Sequence, residues 1–184
     1  MQKLNIAILS YRSAPFGGGQ GIYIHDISKA LSYKGHQVDV ISGPPYPNLD
    51  EKVNLIKLPG LDLFQTFSFK DRLKIFIKKK NKRAIDFYEF FSTFFGGFPE
   101  MRTFGERAKK FLDINNQFDI VIDNQSISYG LLEIQKKFPL LEIIHHPITK
   151  DYKFELQSNR SLMYRLSRHR WYSFLKMQKK VAKQ

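Results

Sequence analysis

Two spacings of apolar residues divide this chain. Short apolar runs at 4–9, 38–41, 53–58, 118–123 and 141–144 read as buried strands. Between them apolar residues recur every third or fourth position, as one face of a helix does. Over 22–34 that face carries Tyr23, Ile24, Ile27, Ala30 and Leu31, and Gly35 stands where a helix end wants a left-handed residue. Helices are likewise predicted over 102–112, over 131–138 with Pro139 as the stop, and as one long helix over 160–183. Pro44, Pro45 and Pro47 close the second strand; Pro59-Gly60 closes the third.

The stretch 61–98 is less regular and reads as a variable insertion. Leu73, Phe76 and Ile77 suggest a short basic helix. Phe87, Phe90, Phe91, Phe94, Phe95 and Phe98 then form a helical stripe opposite Asp86, Glu89 and Ser92, until Gly96-Gly97 breaks it. A stripe at that spacing packs on a sheet; the alternative is an interfacial anchor. Strands alternating with helices imply an α/β fold, a doubly wound and mainly parallel Rossmann-like sheet.

In such a sheet the strand carboxyl ends share one edge, and ligands bind there. Tyr11, Arg12 and the run Gly17-Gly18-Gly19-Gln20-Gly21 follow the first strand. Asn124, Gln125 and Ser126 follow the fourth, and His145-His146 the fifth. These groups are expected to converge on one cleft. A glycine turn leading into a helix offers bare N–H groups to an anion. Amides and hydroxyls suit sugar hydroxyls, and a histidine exchanges a proton near neutral pH. The dinucleotide fingerprint is absent, because the glycines are consecutive and the second strand ends in Ile41-Ser42-Gly43 without an acid. A phosphate-loop lysine is absent too, since Gln20-Gly21 stands in its place. No metal is expected: adjacent histidines on an extended segment face opposite ways, and no third ligand is evident.

Composition narrows the setting. The 184 residues hold no cysteine, so no disulfide framework and no thiolate metal site. No run approaches the roughly 20 apolar residues of a membrane span. With no signal-peptide pattern at the start, a cytoplasmic protein is expected. The net charge of +13 is uneven: eight basic residues and one acid lie over 70–83, and eight basic residues and no acid over 158–184. That bias favours anionic surfaces.

Several of these segments together resemble a known family. They are Asn5-Ile6-Ala7-Ile8-Leu9-Ser10, Gly17-Gly18-Gly19, the helix from Gly21 to Leu31, and Gly35-His36-Gln37-Val38-Asp39-Val40. With Phe118-Asp119-Ile120-Val121 and Ile144-His145-His146-Pro147, they are similar to the N-terminal domain of family 4 glycosyltransferases of the GT-B fold. The resemblance implies retaining transfer of a sugar from a nucleotide-sugar to a glycan or lipid-linked acceptor, with no cofactor. It implies a donor-phosphate loop at Gly17, Gly18, Gly19, Gln20 and Gly21, and a catalytic histidine at His145, with His146 as the alternative. It also implies an acceptor side carrying Tyr11, Arg12, Asn124, Gln125 and Ser126.

The family's donor site lies mainly in a second domain, and this chain ends about where that domain should begin. The expectation is therefore an acceptor-binding half, inactive alone, whose basic helix over 158–184 leads to an absent donor-binding domain. Expected partners are that domain, the nucleotide-sugar, the acceptor and the anionic inner face of a membrane, with no nucleic acid. Two other readings stay open: a non-catalytic module for anionic lipid or nucleic acid, and half of a nucleotide-sugar epimerase.

Overall fold

The computed structural model describes residues 2–15, 19–159 and 161–184. Its strands are β1 (Asn5–Ser10), β2 (Gln37–Ser42), β3 (Asn54–Lys57), β4 (Ile120–Asn124) and β5 (Leu140–Ile143). All pair in parallel in the order β3-β2-β1-β4-β5. The helix α1 (Gly19–Tyr33) joins β1 to β2. A short 3-10 turn (Leu63–Gln65), α2 (Phe69–Lys78), α3 (Ala84–Phe94) and α4 (Glu100–Ile114) lie between β3 and β4. The helix α5 (Tyr129–Ile134) joins β4 to β5, and α6 (Ile148–Ser158), α7 (Leu162–Trp171) and α8 (Phe174–Val181) follow. The fold class is the doubly wound α/β sheet that the alternation implies.

The strand order puts β1 at the centre. The chain runs outward to β3, then crosses back to β4 on the other side of β1. That reversal opens a crevice at the carboxyl ends of β1 and β4. The period of two in β1 divides the core. Ile6 and Ile8 pack with Ile24 of α1, Val38 and Val40 on one face. Ala7 and Leu9 pack with Phe104, Ala108 and Leu131 on the other.

At Gly21 and Gly130, as at Gly43, glycine is needed because backbone approaches backbone. A Cβ on Gly21 would stand 2.1 Å from the Ala14 carbonyl oxygen, so the first turn of α1 lies directly on the segment after β1. A Cβ on Gly130 would stand 2.2 Å from the Gly105 carbonyl oxygen, where α4 and α5 cross. The second contact sets where α5 begins, and hence the turn that carries residues 124–128.

Several expectations need correction. The helix foreseen from residue 22 begins at Gly19, so Gly19, Gln20 and Gly21 are its first turn. Gly17 and Gly18 lie outside the described residues. The helix over 131–138 is α5, which starts two residues earlier and ends at Ile134. The single helix over 160–183 is two helices, because the chain breaks at Tyr172 and Ser173, which separate α7 from α8; Arg160 is outside the described residues. The helix α6 was not foreseen.

The phenylalanine stripe is turned over. Of its residues on α3 only Phe90 is buried, at 7% exposure, whereas Phe91 and Phe94 are each 52% exposed. The polar face of α3 points inward instead, because Arg107 of α4 waits there. Its Nη2 bonds Asp86 at 2.9 Å and Glu89 at 2.5 Å, and Lys79 reaches Asp86 at 2.8 Å. Periodicity reports which residues share a face, not what the face meets.

Candidate functional site

A hollow of about 510 Å³ opens at the carboxyl edge of the sheet. Tyr11 and Arg12 line it from the end of β1, Gly19, Gln20 and Gly21 from the start of α1, and His145 and His146 from beyond β5. Ala14 and Tyr23 complete the wall. Two chain segments far apart in sequence, the stretch from Tyr11 to Tyr23 and the histidine pair, therefore meet at one place.

A buried chain of polar groups ties the strand ends together. The His145 ring Nε2 lies 2.6 Å from Asn124 Oδ1. The Asn124 amide nitrogen donates to Ser10 Oγ at 3.3 Å, and Ser10 Oγ bonds Ser13 Oγ. Ser10, Ser13 and Asn124 are fully buried. With the Asn124 nitrogen engaged by Ser10, its oxygen is left to accept, so His145 Nε2 carries the hydrogen and Nδ1 is the free acceptor. Partial burial, and after it the neighbouring His146, lower the His145 pKa from its ordinary value, which favours the neutral ring. The ring also packs edge-on against Tyr23, with centroids 4.7 Å apart.

Gln125 fixes the backbone that carries both histidines. Its Oε1 accepts from the His145 N–H at 3.1 Å, and its Nε2 donates to the His146 carbonyl at 3.2 Å. Gln125 takes a left-handed φ of 62°, which a residue other than glycine adopts only when its surroundings demand it. Asp123 demands it: its carboxylate accepts from Ser126 N at 2.7 Å, Ser126 Oγ at 2.7 Å and Ile127 N at 3.1 Å. Glu142, opposite Asp123 across β4 and β5, is pushed up to about 10 by burial and by the Asp123 charge, and so is neutral at neutral pH.

The electrostatics of the hollow are one-sided. No carboxylate lines it among the described residues. Arg12 stands there with a Nη1 bond of 3.0 Å to Glu100 of α4. Burial pushes Glu100 up to about 8, against the pull of Arg12. Burial likewise raises Tyr11 to about 12, so its hydroxyl stays protonated. The first turn of α1 adds N–H groups that the helix itself cannot use.

The residues singled out from sequence divide into two groups. Tyr11, Arg12, Gly19, Gln20, Gly21, His145 and His146 line the hollow. Asn124, Gln125 and Ser126 are buried behind its wall, bonded to His145, to the 145–146 backbone and to Asp123 respectively. Sequence reasoning missed Tyr23, which it assigned to the core face of α1, and Glu100. It also missed the serine relay of Ser10 and Ser13, for which a strand-end polar pair is the only signal.

Parallel winding with the strand order reversing beside the central strand defines a Rossmann-like α/β fold. The profile of Glycosyltransferase Family 4 matches residues 17–181, and the chain belongs to that family. Over 184 residues it is 45% identical to the MMP alpha-(1->4)-mannosyltransferase of Mycolicibacterium hassiacum. That match covers 98% of this chain and 44% of the relative, so the chain spans less than half the length of the curated relative it matches. Among solved structures it resembles CalG4, the calicheamicin glycosyltransferase, at 14% identity and a TM-score of 0.47, covering 99% of this chain and 43% of that one.

Proposed function

We propose that this chain is the acceptor-side half of a retaining glycosyltransferase, which moves a hexose, by its relative's name a mannose, from a nucleotide-sugar to a glycan or lipid-linked acceptor. The observation that carries this reading is the shared hollow, where the α1 start, Arg12 and a neutral His145 meet without an opposing carboxylate. The donor diphosphate lies against the N–H groups of Gly19, Gln20 and Gly21. In the transfer the bond from the anomeric carbon to the diphosphate breaks, and the acceptor oxygen bonds that carbon on the same face. The acceptor proton leaves with the diphosphate. Nδ1 of His145 accepts a hydrogen bond from a sugar hydroxyl at the reacting centre, and Asn124 and Gln125 hold that ring. Tyr11 and Arg12 face the acceptor. The relative's greater length supports a donor-binding domain supplied by further chain or by a partner.

The test is transfer from a nucleoside-diphosphate mannose to a manno-oligosaccharide. The protein joined to a donor-binding domain should make a product with the donor's anomeric configuration, and the 184-residue chain alone should make none. His145→Ala should abolish transfer with the fold intact. Turnover by the chain alone, or full activity in the variant, would refute the corresponding assignment.

A second observation bears on location. Phe67, Phe69, Phe91 and Phe94 are exposed beside the lysines of α2, and among the described residues no helix is long and apolar enough to cross a membrane. We propose that this α2–α3 face rests on an anionic membrane surface, where apolar wedges and basic residues act together.

A further inference from the structure

We infer that a second pocket, of about 140 Å³ between α3, α4, α5 and α8, takes one hexose unit of the acceptor glycan away from its reacting end. This rests on the glycan-acceptor reading above and adds a second contact to it.

Phe98 lines this pocket, and its ring meets Tyr11 edge to face with centroids 6.3 Å apart. Tyr11 lines the hollow. One aromatic pair therefore separates the two spaces, and this pocket lies next to the hollow.

Sugar rings present a C–H face that packs on aromatic rings, and hydroxyls that need donors held at fixed positions. Tyr88 and Tyr129 line the pocket, and the Arg102 guanidinium lies 4.8 Å and 5.6 Å from their ring centroids. Arg102 Nη1 also donates to the Tyr88 hydroxyl at 3.3 Å. Arg12 bonds the Glu100 carboxyl group, and Arg107 spends its guanidinium on the Asp86 and Glu89 carboxylates. Arg102 has no ion pair among the described residues, and no carboxylate lines this pocket. Two rings thus hold a guanidinium whose remaining donors are available. Ser173 and Lys176 add donors on the α8 side. At about 30 Å³ per water the space equals roughly five waters, room for one face of a hexose whose other hydroxyls stay in solvent.

An occupant of this pocket meets two aromatic walls as well as cations. Phe174 packs against Phe98 at 5.7 Å and lines the same space. A bare phosphate would use the cations and leave the rings idle.

The test uses the chain itself. Trp171 is the single tryptophan and packs on Phe98 with centroids 5.2 Å apart, so its emission reports on this pocket. The chain is titrated with mannobiose, mannohexaose and sodium phosphate, with calorimetry in parallel. Mannohexaose should bind about tenfold more tightly than mannobiose and shift the Trp171 emission. Arg102→Ala and Tyr88→Ala, both at exposed positions, should each remove that advantage and leave mannobiose affinity unchanged, with the far-ultraviolet circular dichroism checking the fold. Equal affinity for the two lengths, or an advantage surviving in both variants, overturns the pocket alone. So does a Trp171 response to phosphate with none to mannohexaose. If neither sugar binds, the acceptor reading and the pocket fall together.

Discussion

Replacing Asn124 by aspartate tests the hydrogen bond on which the candidate site turns. In the wild type a neutral amide oxygen lies 2.6 Å from His145 Nε2, and the ring's pKa is lowered by partial burial and by His146. Asn124→Asp keeps the shape and puts a carboxylate at that distance. An opposite charge this close raises a histidine pKa by about one to three units. The His145 ring faces solvent on one side, which screens the pair, so the lower end, about one unit or ~1.4 kcal/mol, is expected. The sign is definite. The folded pKa of the variant's His145 lies above that of the wild type, so the variant's stability relative to wild type is greatest at low pH and falls as pH rises through that folded pKa. Above that pH the new carboxylate is buried unpaired and has lost the amide donor to Ser10, so the variant should be less stable than wild type. The assay is the pH titration of the His145 ring nitrogens by NMR, beside urea unfolding at several pH values. A His145 midpoint that does not move would show that Asn124 does not hold the ring, and the tautomer assigned to it would fall.

Two further outcomes are expected. Glu100 is protonated in the fold up to about pH 8 but ionises near its ordinary value when unfolded, so it should lower stability as pH rises between those points, by at most about 1.4 kcal/mol per pH unit. Glu100→Gln should flatten that part of the stability profile in urea titrations at pH 5 and pH 8, and an unchanged slope would remove Glu100 as its source. The chain should float with phosphatidylglycerol vesicles at low salt and be released as salt shortens the Debye length, and Phe91→Asp with Phe94→Asp should weaken flotation. Absence of binding at low salt would remove the membrane proposal.

Much of the frame was legible before any coordinates. Short runs dominated by apolar residues and bounded by turn signals belong in strands, and all five appear within two residues of where they were expected. Convergence at the sheet edge was legible as well, because parallel strands must end on the same side. What periodicity could not reach was pairing at a distance. Asp86 and Glu89 read as a solvated face until Arg107, some twenty residues on, is found opposite them. The break at Tyr172 and Ser173 was hidden because no glycine or proline marks it; the Tyr172 hydroxyl donates to Glu155 of α6 at 2.9 Å, a contact no local rule foresees.

The candidate site divides along the same line. Residue types at strand ends told which side chains belong near the ligand edge, and local rules suffice for that because strand direction alone sets the edge. Whether a given side chain faces the hollow or supports it from behind was decided in three dimensions. Asn124 and Gln125 are neighbours in sequence with similar amide groups, yet one holds a ring and the other clasps a backbone. The difference follows from where β5 lies beside β4 and from the Asp123 carboxylate, which folds the turn between them. Sequence by itself determined the winding of the sheet and the family. Tertiary structure decided which polar groups are spent on one another and which remain free for a ligand, because a hydrogen bond depends on distances that only packing sets.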